Sequence, residues 1–495
     1  MIRAFVRAIA LATLLCAGQP AFAIPQVFLV QNSGWMEPFY SDPQSQFKPL
    51  VTELAMAAVQ PGDALVLASF NQALPGAPSP KALLSVTADA KTRQAVSTAL
   101  ANLQAAHKPG SSALADTDLG EAVSAAIRTA LAGRPGVVWL VTNNRNSPNN
   151  DQATARRNRE FYELIHEGGA IDKALAFPLR MPVQGAHYRA NGLMVYAFGI
   201  GAEGARELDR MLASGRVRKV ITEPPARLKP LDRDTVRLVP RRVEDAPGVS
   251  FSMAQGGLLR ADVDPGARTP SARILWHLEN TVYPYTIAGA TLSARSMLAG
   301  ERRPIALGSA QVTALAPGKP EPLASTMQLP VAQIPSKWSM AAVKSAGSAY
   351  VLPGTIEVHL AGQKLELSRA FRERMDALFP GDPLPDIFVP PRDVKASTAV
   401  LPIEVRVHYP LAPLALIGGA GLLALLGAAA AGYAFARPRR AYLTVEDELR
   451  TVHTRAGTTQ PIFDKAGNKV AQLKTTLFGH QLTDLREGAQ VRLGR

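Results

Sequence analysis

Ser45 and Lys48 have the Ser-x-x-Lys spacing of a serine nucleophile beside a lysine base, an arrangement suited to acyl transfer. A match at two fixed positions is expected by chance in a chain of 495 residues, and the partner motifs of such enzymes are absent from the sequence. The eight histidines show no ligand spacing, and there is no His-Glu-x-x-His, Walker or Gly-x-Ser-x-Gly motif. Lys48 is therefore predicted to be a surface residue of a helix, and we expect no enzymatic activity.

A second set of polar residues lies where three predicted elements begin or end. Gln31 and Ser33 follow one apolar run, Thr117 precedes an amphipathic stretch, and Asn143 follows another apolar run.

The elements around these residues alternate between short β-branched runs and longer amphipathic stretches. The strand-like runs are Gln26–Val30, Asp63–Phe70, Val137–Val141 and Leu193–Ile200, and the helical stretches are Phe47–Val59, Lys91–Ala105, Leu119–Leu131, Arg156–His166 and Gly204–Leu212. Thr117 or Asp116 is the expected N-cap of the third helix. This alternation predicts an α/β domain over residues 24–220, a doubly wound parallel sheet whose ligands bind at the carboxyl ends of the strands.

Four segments resemble the von Willebrand factor A domain family in order and spacing. Val27–Met36 is similar to its first strand and Asp-x-Ser-x-Ser loop, and residues 117–122 are similar to its second metal-site loop. Val137–Asn144 is similar to its fourth strand, and Val195–Gly201 to the next strand with a Gly-x-Gly ending. The resemblance covers about residues 24–215 and implies a Rossmann-like domain with a metal-ion-dependent adhesion site.

The sequence departs from the family pattern at the positions that would hold the metal. Gln31 stands at the first Asp position, Trp35 at the second Ser, and Asn143 at the Asp of the third loop. Ser33 and Thr117 keep their oxygen ligands. The resemblance therefore implies a vestigial metal site at Gln31, Ser33, Thr117 and Asn143, with no Mg²⁺ and no other cofactor.

Two carboxylates leave an alternative open. Asp116 and Asp118 flank Thr117 in the sequence, and either side chain could supply part of what the site has lost. Because of these two residues, the binding of a divalent cation remains an alternative hypothesis.

Loops at the same strand ends carry residues typical of protein interfaces. Trp35 and Tyr40 follow the first strand-like run, and Asn144 and Arg145 open a long polar loop after the third. Trp, Tyr and Arg are frequent interface anchors, so these four residues predict a partner-binding face. The alternative is that Trp35 and Phe39 fold inward and fill the space of the lost metal site.

Residues 221–410 are richer in proline and contain short strand-like runs. Strands are predicted at Ala272–Glu279, Thr286–Ser293, Tyr350–Leu352 and Ile403–His408, with a hairpin around Gly362. A helix is predicted at Arg369–Phe379, followed by a proline-rich spacer at Pro380–Pro391. The short strands predict an immunoglobulin-like β-sandwich, or two small ones.

Two hydrophobic segments predict export and membrane attachment. Residues 1–23 have a basic start, an apolar run and the cleavage pattern Ala21-Phe22-Ala23, which is typical of a signal peptide. Residues 411–436 contain an uncharged run longer than the roughly 20 residues that cross a bilayer. Arg437, Arg439 and Arg440 follow it, so the positive-inside rule predicts a single-pass protein of the bacterial inner membrane. Residues 24–410 would be periplasmic and residues 437–495 cytoplasmic.

The composition argues against nucleic acid as a partner and against disulfide bonds as a source of stability. The net charge is +14, but the basic residues are scattered, which argues against nucleic-acid binding. Cys16 is the only cysteine and lies in the predicted signal peptide, so the mature chain would contain no disulfide. Leu15 before it argues against lipid attachment, which requires a small residue there.

The predicted membrane helix and tail add two expectations. Gly427 and Ala431 lie four residues apart, which predicts a self-associating face, although an Ala/Gly-rich composition alone explains the pair. The tail is predicted to be β-rich, with a hairpin at Ala466-Gly467-Asn468. Its small core is expected to draw on Leu477, Leu482, Leu485, Val491 and Leu493.

These features favour a non-enzymatic scaffold of the cell envelope that binds a protein partner through the strand-end face. The alternative is an accessory subunit of an envelope enzyme or transport complex that couples across the membrane through its tail. A folded tail would favour coupling, and a disordered tail would favour a simple anchor.

Overall fold

The computed structural model describes residues 23–146, 152–267, 269–345, 347–381 and 384–494. Residues 1–22 of the predicted signal peptide lie outside this range. The chain forms two compact units. The larger unit contains the described residues up to Gln333 together with Leu352–Val405, and the smaller unit contains Ile334–Val351 and the described residues from Arg406 onward.

The first part of the larger unit is an α/β structure. Its strands are β1 (Gln26–Gln31), β2 (Ala64–Phe70), β3 (Lys81–Thr87), β4 (Gly136–Thr142), β5 (Ile171–Gln184), β6 (Arg189–Ile200) and β7 (Ala226–Lys229). Its helices are α1 (Glu37–Ser41), α2 (Phe47–Ala58), α3 (Thr92–Ala101), α4 (Leu119–Ala125), α5 (Gln152–His166) and α6 (Gly201–Ala213). A π-helical turn at Ala126–Ala130 extends α4. The predicted strands and helices of residues 24–220 are all present, with ends shifted by a few residues.

The seven strands form one sheet in the order β3-β2-β1-β4-β6-β5-β7. β1 pairs in parallel with both β2 and β4, as predicted. β3, however, runs antiparallel to β2, and β6 runs antiparallel to β4 and to β5, so the prediction of a parallel sheet holds only for β2, β1 and β4. The reason at β6 is β5, which was not predicted because Pro178 and Pro182 interrupt its run. β5 and β6 form a long hairpin, and a hairpin reverses the chain direction.

This reversal moves a predicted motif away from the polar set. Ile200 at the end of β6 pairs with Gly136 at the start of β4. The Gly-x-Gly ending of Val195–Gly201 therefore lies at the opposite edge of the sheet from Gln31 and Asn143. The strand resembles the family segment in sequence but enters the sheet in the other direction.

Two apolar layers cover the two faces of the sheet. Val27 and Leu29 of β1 contribute to one buried cluster, whereas Phe28 and Val30 contribute to the other, since side chains alternate along a strand. Trp139 on β4 is fully buried and stacks on Phe28 with ring centroids 5.7 Å apart. The α/β part therefore has helices and apolar side chains on both faces of its sheet.

A distant segment completes one of these layers. Helix α8 (Arg369–Leu378; α7 lies in the smaller unit) and a 3₁₀ turn at Leu384–Phe388 follow the β-rich region in sequence. Phe371 and Phe388 are 2% and 0% exposed and belong to the same buried cluster as Phe161 of α5. The predicted helix is confirmed, and part of the predicted spacer is packed into the α/β core.

The β-rich part of the structure is a single connected sheet. Its strands are β8 (Val236–Glu244), β9 (Val249–Met253), β10 (Leu259–Val263), β11 (Ser271–Asn280), β12 (Tyr285–Leu298), β13 (Glu301–Leu307), β14 (Gln311–Leu315), β15 (Glu321–Gln328), β16 (Ala349–Leu367) and β17 (Ala396–His408). The order is β8-β11-β15-β13-β12-β16-β17-β10-β9, and β14 pairs with β12. Phe251 on β9 contacts Trp276 on β11 although these strands lie far apart in the order, so the sheet folds over itself. The predicted hairpin around Gly362 is wrong, because β16 continues through that glycine.

The smaller unit contains the helix α7 (Met340–Lys344) and the long helix α9 (Ala412–Ala436). Within the described residues, Leu414–Ala436 is the one stretch that is long and apolar enough to cross a membrane, and its side chains are not buried against the protein. This matches the predicted span at residues 411–436.

The tail after α9 is folded into β-structure. Its strands are β18 (Arg439–Val445), β19 (Glu448–Thr454), β20 (Thr459–Phe463), β21 (Lys469–Thr475), β22 (His480–Thr483) and β23 (Val491–Leu493). They form two three-stranded sheets, β19-β18-β23 and β20-β21-β22. The predicted β-rich tail and the hairpin between β20 and β21 are confirmed.

The core of the tail differs from the predicted one. Leu443, Ala471 and Leu473 are fully buried at its centre. Of the predicted core residues, Val491 is buried and Leu482 packs against the cluster, whereas Leu477, Leu485 and Leu493 are 40%, 49% and 37% exposed. Leu477 and Leu485 lie outside strands, and Leu493 lies at the exposed end of β23.

Candidate functional site

The four predicted metal-site residues meet at the carboxyl ends of β1 and β4. Gln31, Ser33 and Thr117 are fully buried and Asn143 is 6% exposed. Gln31 Nε2 donates to Ser33 Oγ at 2.7 Å and to Thr117 Oγ1 at 2.9 Å. The Thr117 hydroxyl donates to Ser33 Oγ at 2.5 Å. The fold thus brings these four residues into one hydrogen-bonded group.

The orientation of the Gln31 amide follows from its other partners. Gln31 Oε1 accepts the backbone N–H of Asn143 at 3.0 Å and the hydroxyl of Thr142. A backbone N–H is always a donor, so the atom facing Asn143 N must be the amide oxygen. The amide nitrogen must then face Ser33 and Thr117. A neutral N–H donor therefore faces both hydroxyl oxygens, which also bond directly to each other.

The two aspartates beside Thr117 have other partners. Asp116 pairs with Lys108 at 2.8 Å. Asp118 is the N-cap of α4, where its Oδ1 accepts the backbone N–H of Glu121 at 2.9 Å, and its Oδ2 lies 3.6 Å from Arg157. The N-cap prediction of Thr117 or Asp116 is thus wrong by one or two residues. No group of three or more His, Cys, Asp or Glu side chains suited to a metal occurs in the described part of the chain.

The loop after β4 is held by its own polar contacts. Asn144 has a φ of 66°, a left-handed conformation that asparagine tolerates better than most residues. Its Oδ1 accepts the hydroxyl of Tyr196 at 2.6 Å, and its side chain is fully buried. Asn146 accepts the backbone N–H of Leu119 at the start of α4 at 3.0 Å. The remainder of the predicted polar loop, residues 147–151, lies outside the described residues.

Trp35 occupies the centre of the strand-end surface and is half-buried. Its ring lies 4.5 Å from the ring of Tyr188 and 4.6 Å from the guanidinium carbon of Arg145. A guanidinium over an indole face at this distance is a cation–π contact. Arg145 also donates to the carbonyl oxygen of Pro380 at 2.7 Å. Trp35, Tyr188 and Arg145 together form what we call the aromatic clamp.

The tip of the β5–β6 hairpin is fastened by Glu37. The Glu37 carboxylate accepts the backbone N–H groups of Ala186 at 2.9 Å and His187 at 3.3 Å. Burial raises the pKa of Glu37, but hydrogen bonds from Ala186, Ser41 and His187 lower it by more, so the pKa lies below its ordinary value. Gly185 at the same tip leaves room for this carboxylate, because a Cβ there would lie 2.0 Å from Glu37 Oε2 and the Glu37 side chain would have to move.

Tyr40 faces inward with its hydroxyl. The hydroxyl donates to the carbonyl oxygen of Gln31 at 2.7 Å, and burial raises its pKa well above the ordinary value. Phe39 is 1% exposed and contacts Phe47. Of the predicted interface residues, Asn144 is buried, whereas Trp35, Tyr40 and Arg145 are half-buried, so the exposed surface they form is smaller than the sequence suggests.

The strand-end surface also includes residues that were not predicted from the sequence. Tyr188 is half-buried and His187 is exposed at the hairpin tip, and Glu37 fixes that tip. Sequence reasoning missed these contacts because it missed β5. The signal was the short apolar run Ala174–Phe177, which a search for shorter strands ending at Pro178 would have detected.

Ser45 and Lys48 are not brought together as a catalytic pair. Ser45 Oγ donates to the carbonyl oxygen of Phe39 at 2.8 Å, and Lys48 Nζ donates to that of Ala101 at 2.7 Å. Lys48 lies on α2 and is half-buried, which lowers its pKa. Both side chains have structural partners, and the prediction that Lys48 is a helix residue is confirmed.

No protein-family model and no curated protein sequence matches this chain. The function is therefore argued from the geometry of the chain itself.

Proposed function

We propose that this protein is a non-enzymatic, membrane-anchored scaffold of the bacterial envelope that binds a protein partner through the strand-end surface of a von Willebrand A-like domain. The observation that carries the proposal is the Gln31 amide, whose nitrogen donates to both Ser33 and Thr117 where the family would hold a cation. Without a cation there, a partner would be recognised by the side chains of this surface.

The strand order supports the resemblance to the von Willebrand A family in part of the sheet. A parallel β2-β1-β4 core with helices on both faces is the arrangement that the resemblance implies. The antiparallel β6 is a departure from a fully doubly wound sheet. The immunoglobulin-like character of the β-rich part is likewise a proposal, supported by one long sheet that folds over itself.

The aromatic clamp supports a binding role for the surface. Trp35 Nε1 is buried and has no acceptor within the described part of the chain. An unpaired buried donor costs about 1–3 kcal/mol, and such groups call for an explanation. If a partner displaced the side chains that cover Nε1, its carbonyl or carboxylate oxygen would supply the missing acceptor.

The composition of the site supports a non-catalytic role. The groups that converge around Gln31 are amides and hydroxyls that hydrogen-bond to one another and are buried. A catalytic acid or base must reach a reacting group, and its pKa is usually perturbed for that purpose. Scattered positive charge similarly supports a protein partner rather than nucleic acid.

Crosslinking in cells tests the proposal. A photoreactive residue at exposed His187 should form one defined protein adduct, and the same residue at exposed Gln94 on α3 should not. Trp35→Ala should weaken the adduct at position 187 by about fivefold or more, since interface anchors cost over 1 kcal/mol when truncated. Equal crosslinking at positions 187 and 94 would contradict the proposal that this surface binds the partner. Crosslinking at position 187 that Trp35→Ala leaves unchanged would contradict it too.

A second candidate function is coupling across the membrane as an accessory subunit of an envelope enzyme or transport complex. The observation that favours it is the folded tail, whose Leu443 and Leu473 are fully buried in a core of their own. A simple anchor needs no such core. Deleting residues 442–495 should change the composition of the native complex if coupling occurs, and an unchanged complex and phenotype would leave the scaffold role alone.

The membrane topology belongs to the same proposal. α9 would span the inner membrane once, with Arg437, Arg439 and Arg440 on the cytoplasmic side. Self-association through Gly427 and Ala431 stays a prediction. Removal of the signal peptide would leave the larger unit in the periplasm.

A further inference from the structure

An excursion of the chain between β15 and β16 exposes large apolar side chains. Within the segment Ile334–Val351, Trp338 is 55% exposed and Met340 is 70% exposed. They lie beside Lys337 and shortly before Lys344, and the segment contains no Asp or Glu. Single exposed apolar residues are ordinary, but a tryptophan, a methionine and two lysines within one short excursion form a specific surface.

This excursion is held to the chain immediately before α9. The hydroxyl of Tyr409 donates to the carbonyl oxygen of Pro335 at 2.5 Å. At the other end of the excursion, a Cβ built on Gly347 would lie 3.9 Å from Leu411 Cδ2. The pattern of contacts accordingly places Ile334–Val351 in the same compact unit as α9.

The residue types agree with that position. Trp and Tyr concentrate where a membrane helix meets the headgroup layer, because their rings are apolar and their edges are polar. Trp338 on the excursion and Tyr409 before α9 both lie on the amino-terminal side of the span. The ammonium groups of Lys337 and Lys344 are suited to lipid phosphates, and their alkyl stems are suited to the apolar layer below.

We infer that the excursion Ile334–Val351 is a second membrane contact, in which Trp338 and Met340 insert into the headgroup region of the leaflet where α9 begins and Lys337 and Lys344 bind lipid phosphates. The inference rests on the proposed span of α9. It makes the protein attach to one leaflet at two points, so that the chain entering α9 cannot swivel freely at the bilayer surface.

Depth-dependent fluorescence quenching tests the contact in the full chain reconstituted into vesicles. An environment-sensitive probe is placed at Met340→Cys, at Leu423→Cys within α9, or at exposed Gln60→Cys, each in a Cys16→Ala background. Lipids brominated near the headgroup should quench the probe at position 340 at least about twofold more than the probe at position 60, since interfacial side chains lie about 5–10 Å deep. Trp338→Glu should abolish the difference, and Trp338→Phe should preserve it.

The probe in α9 separates failure of this inference from failure of the membrane proposal. If lipids brominated near the chain ends quench position 423 but position 340 behaves like position 60, the span stands and the second contact is wrong. If position 423 is not quenched either, the span itself is wrong. Shielding of position 340 from aqueous iodide without quenching by brominated lipid would assign the surface to a protein and overturn the inference.

The lysines are tested by lipid composition. Adding phosphatidylglycerol to phosphatidylcholine vesicles should increase quenching at position 340, and the paired substitution Lys337→Gln, Lys344→Gln should remove that increase. The same increase in the substituted protein would overturn the assignment of these lysines to phosphate binding.

Discussion

The side-chain nitrogen of Gln31 lies 2.9 Å from the hydroxyl oxygen of Thr117, 86 residues away in the sequence. This contact joins the loop after β1 to the start of α4. Through Gln31 Oε1 it also reaches the loop after β4. One buried amide thus bonds to three segments that are far apart in the sequence.

Replacement of Gln31 by an apolar side chain of similar size should destabilise the α/β part. Gln31→Met leaves the buried N–H of Asn143 and the hydroxyl of Thr142 without their acceptor, and we expect a loss of about 2–4 kcal/mol in the free energy of unfolding. Urea unfolding of the full chain in detergent measures it. Gln60→Met at an exposed turn is the matched control, with an expected change within about 0.5 kcal/mol. Equal effects of the two substitutions would contradict the role assigned to the amide.

Titration with Mg²⁺ or Mn²⁺ should give no saturable heat in calorimetry. Turning the Gln31 amide to offer its oxygen to a metal would direct its nitrogen at the N–H of Asn143, which sets donor against donor. The paired substitution Gln31→Asp, Asn143→Asp restores carboxylates at two positions where the family has them, so heat is expected there first. Saturable heat with the unmodified protein would show that the site is not vestigial.

The hairpin tip should loosen in acid. The folded-state pKa of Glu37 lies below its ordinary value of 4.5, so its hydrogen bonds contribute stability that is present above that value and is lost as the pH falls through the folded-state pKa. Hydrogen exchange at the amides of Ala186 and His187, corrected for intrinsic pH dependence, should lose protection in this acidic range. Glu37→Ala should show weak protection at every pH, and protection that is independent of both pH and Glu37 would exclude the proposed fastening.

The docked helix α8 should contribute strongly to the stability of the α/β core. Phe371 is 2% exposed and contacts Phe388 with ring centroids 5.0 Å apart. Phe371→Ala should therefore cost about 3–5 kcal/mol in the free energy of unfolding, as large core truncations do. Arg372→Ala, on the exposed side of the same helix, should change it by less than about 0.5 kcal/mol. Chemical unfolding measures both, and a loss below about 1 kcal/mol for Phe371→Ala would mean that α8 is only loosely attached.

Leu473 and Leu477 are expected to contribute very differently to the stability of the tail. Leu473 is fully buried, whereas Leu477 is 40% exposed. Leu473→Ala should cost about 2–5 kcal/mol, enough to unfold so small a domain, and Leu477→Ala should be nearly neutral. Limited proteolysis of the full chain measures both through the rate of cleavage after Arg439. Similar cleavage rates in the two variants would indicate that the tail has no fixed core.

Local pattern determined the elements of the α/β part and the positions of the polar set. Val27 to Val30 and Val137 to Val141 form unbroken apolar runs, which only strands buried on both faces require. Such runs end where the chain leaves the sheet, so Gln31 and Asn143 had to lie at strand ends. Parallel pairing of β1 and β4 then brings the two residues to one edge.

The direction of β6 was decided only in three dimensions. Leu193–Ile200 has the composition of a buried strand in either direction, and composition carries no information about whether a strand runs parallel or antiparallel. The hairpin with β5 settles it, and Pro178 concealed β5 from a pattern-based prediction. The contact between Trp35 and Tyr188 follows from that hairpin, so the pattern did not predict it either.

What the sequence determined by itself is therefore local: apolar runs and periodicity, the uncharged stretch of α9 and the amides of Gln31 and Asn143 at strand ends. Tertiary structure alone decided how the Gln31 amide is oriented, because that orientation depends on the backbone N–H of Asn143, 112 residues away. It also decided that Phe371 completes the core of a sheet built about two hundred residues earlier, since burial of an apolar helix face is indifferent to sequence separation.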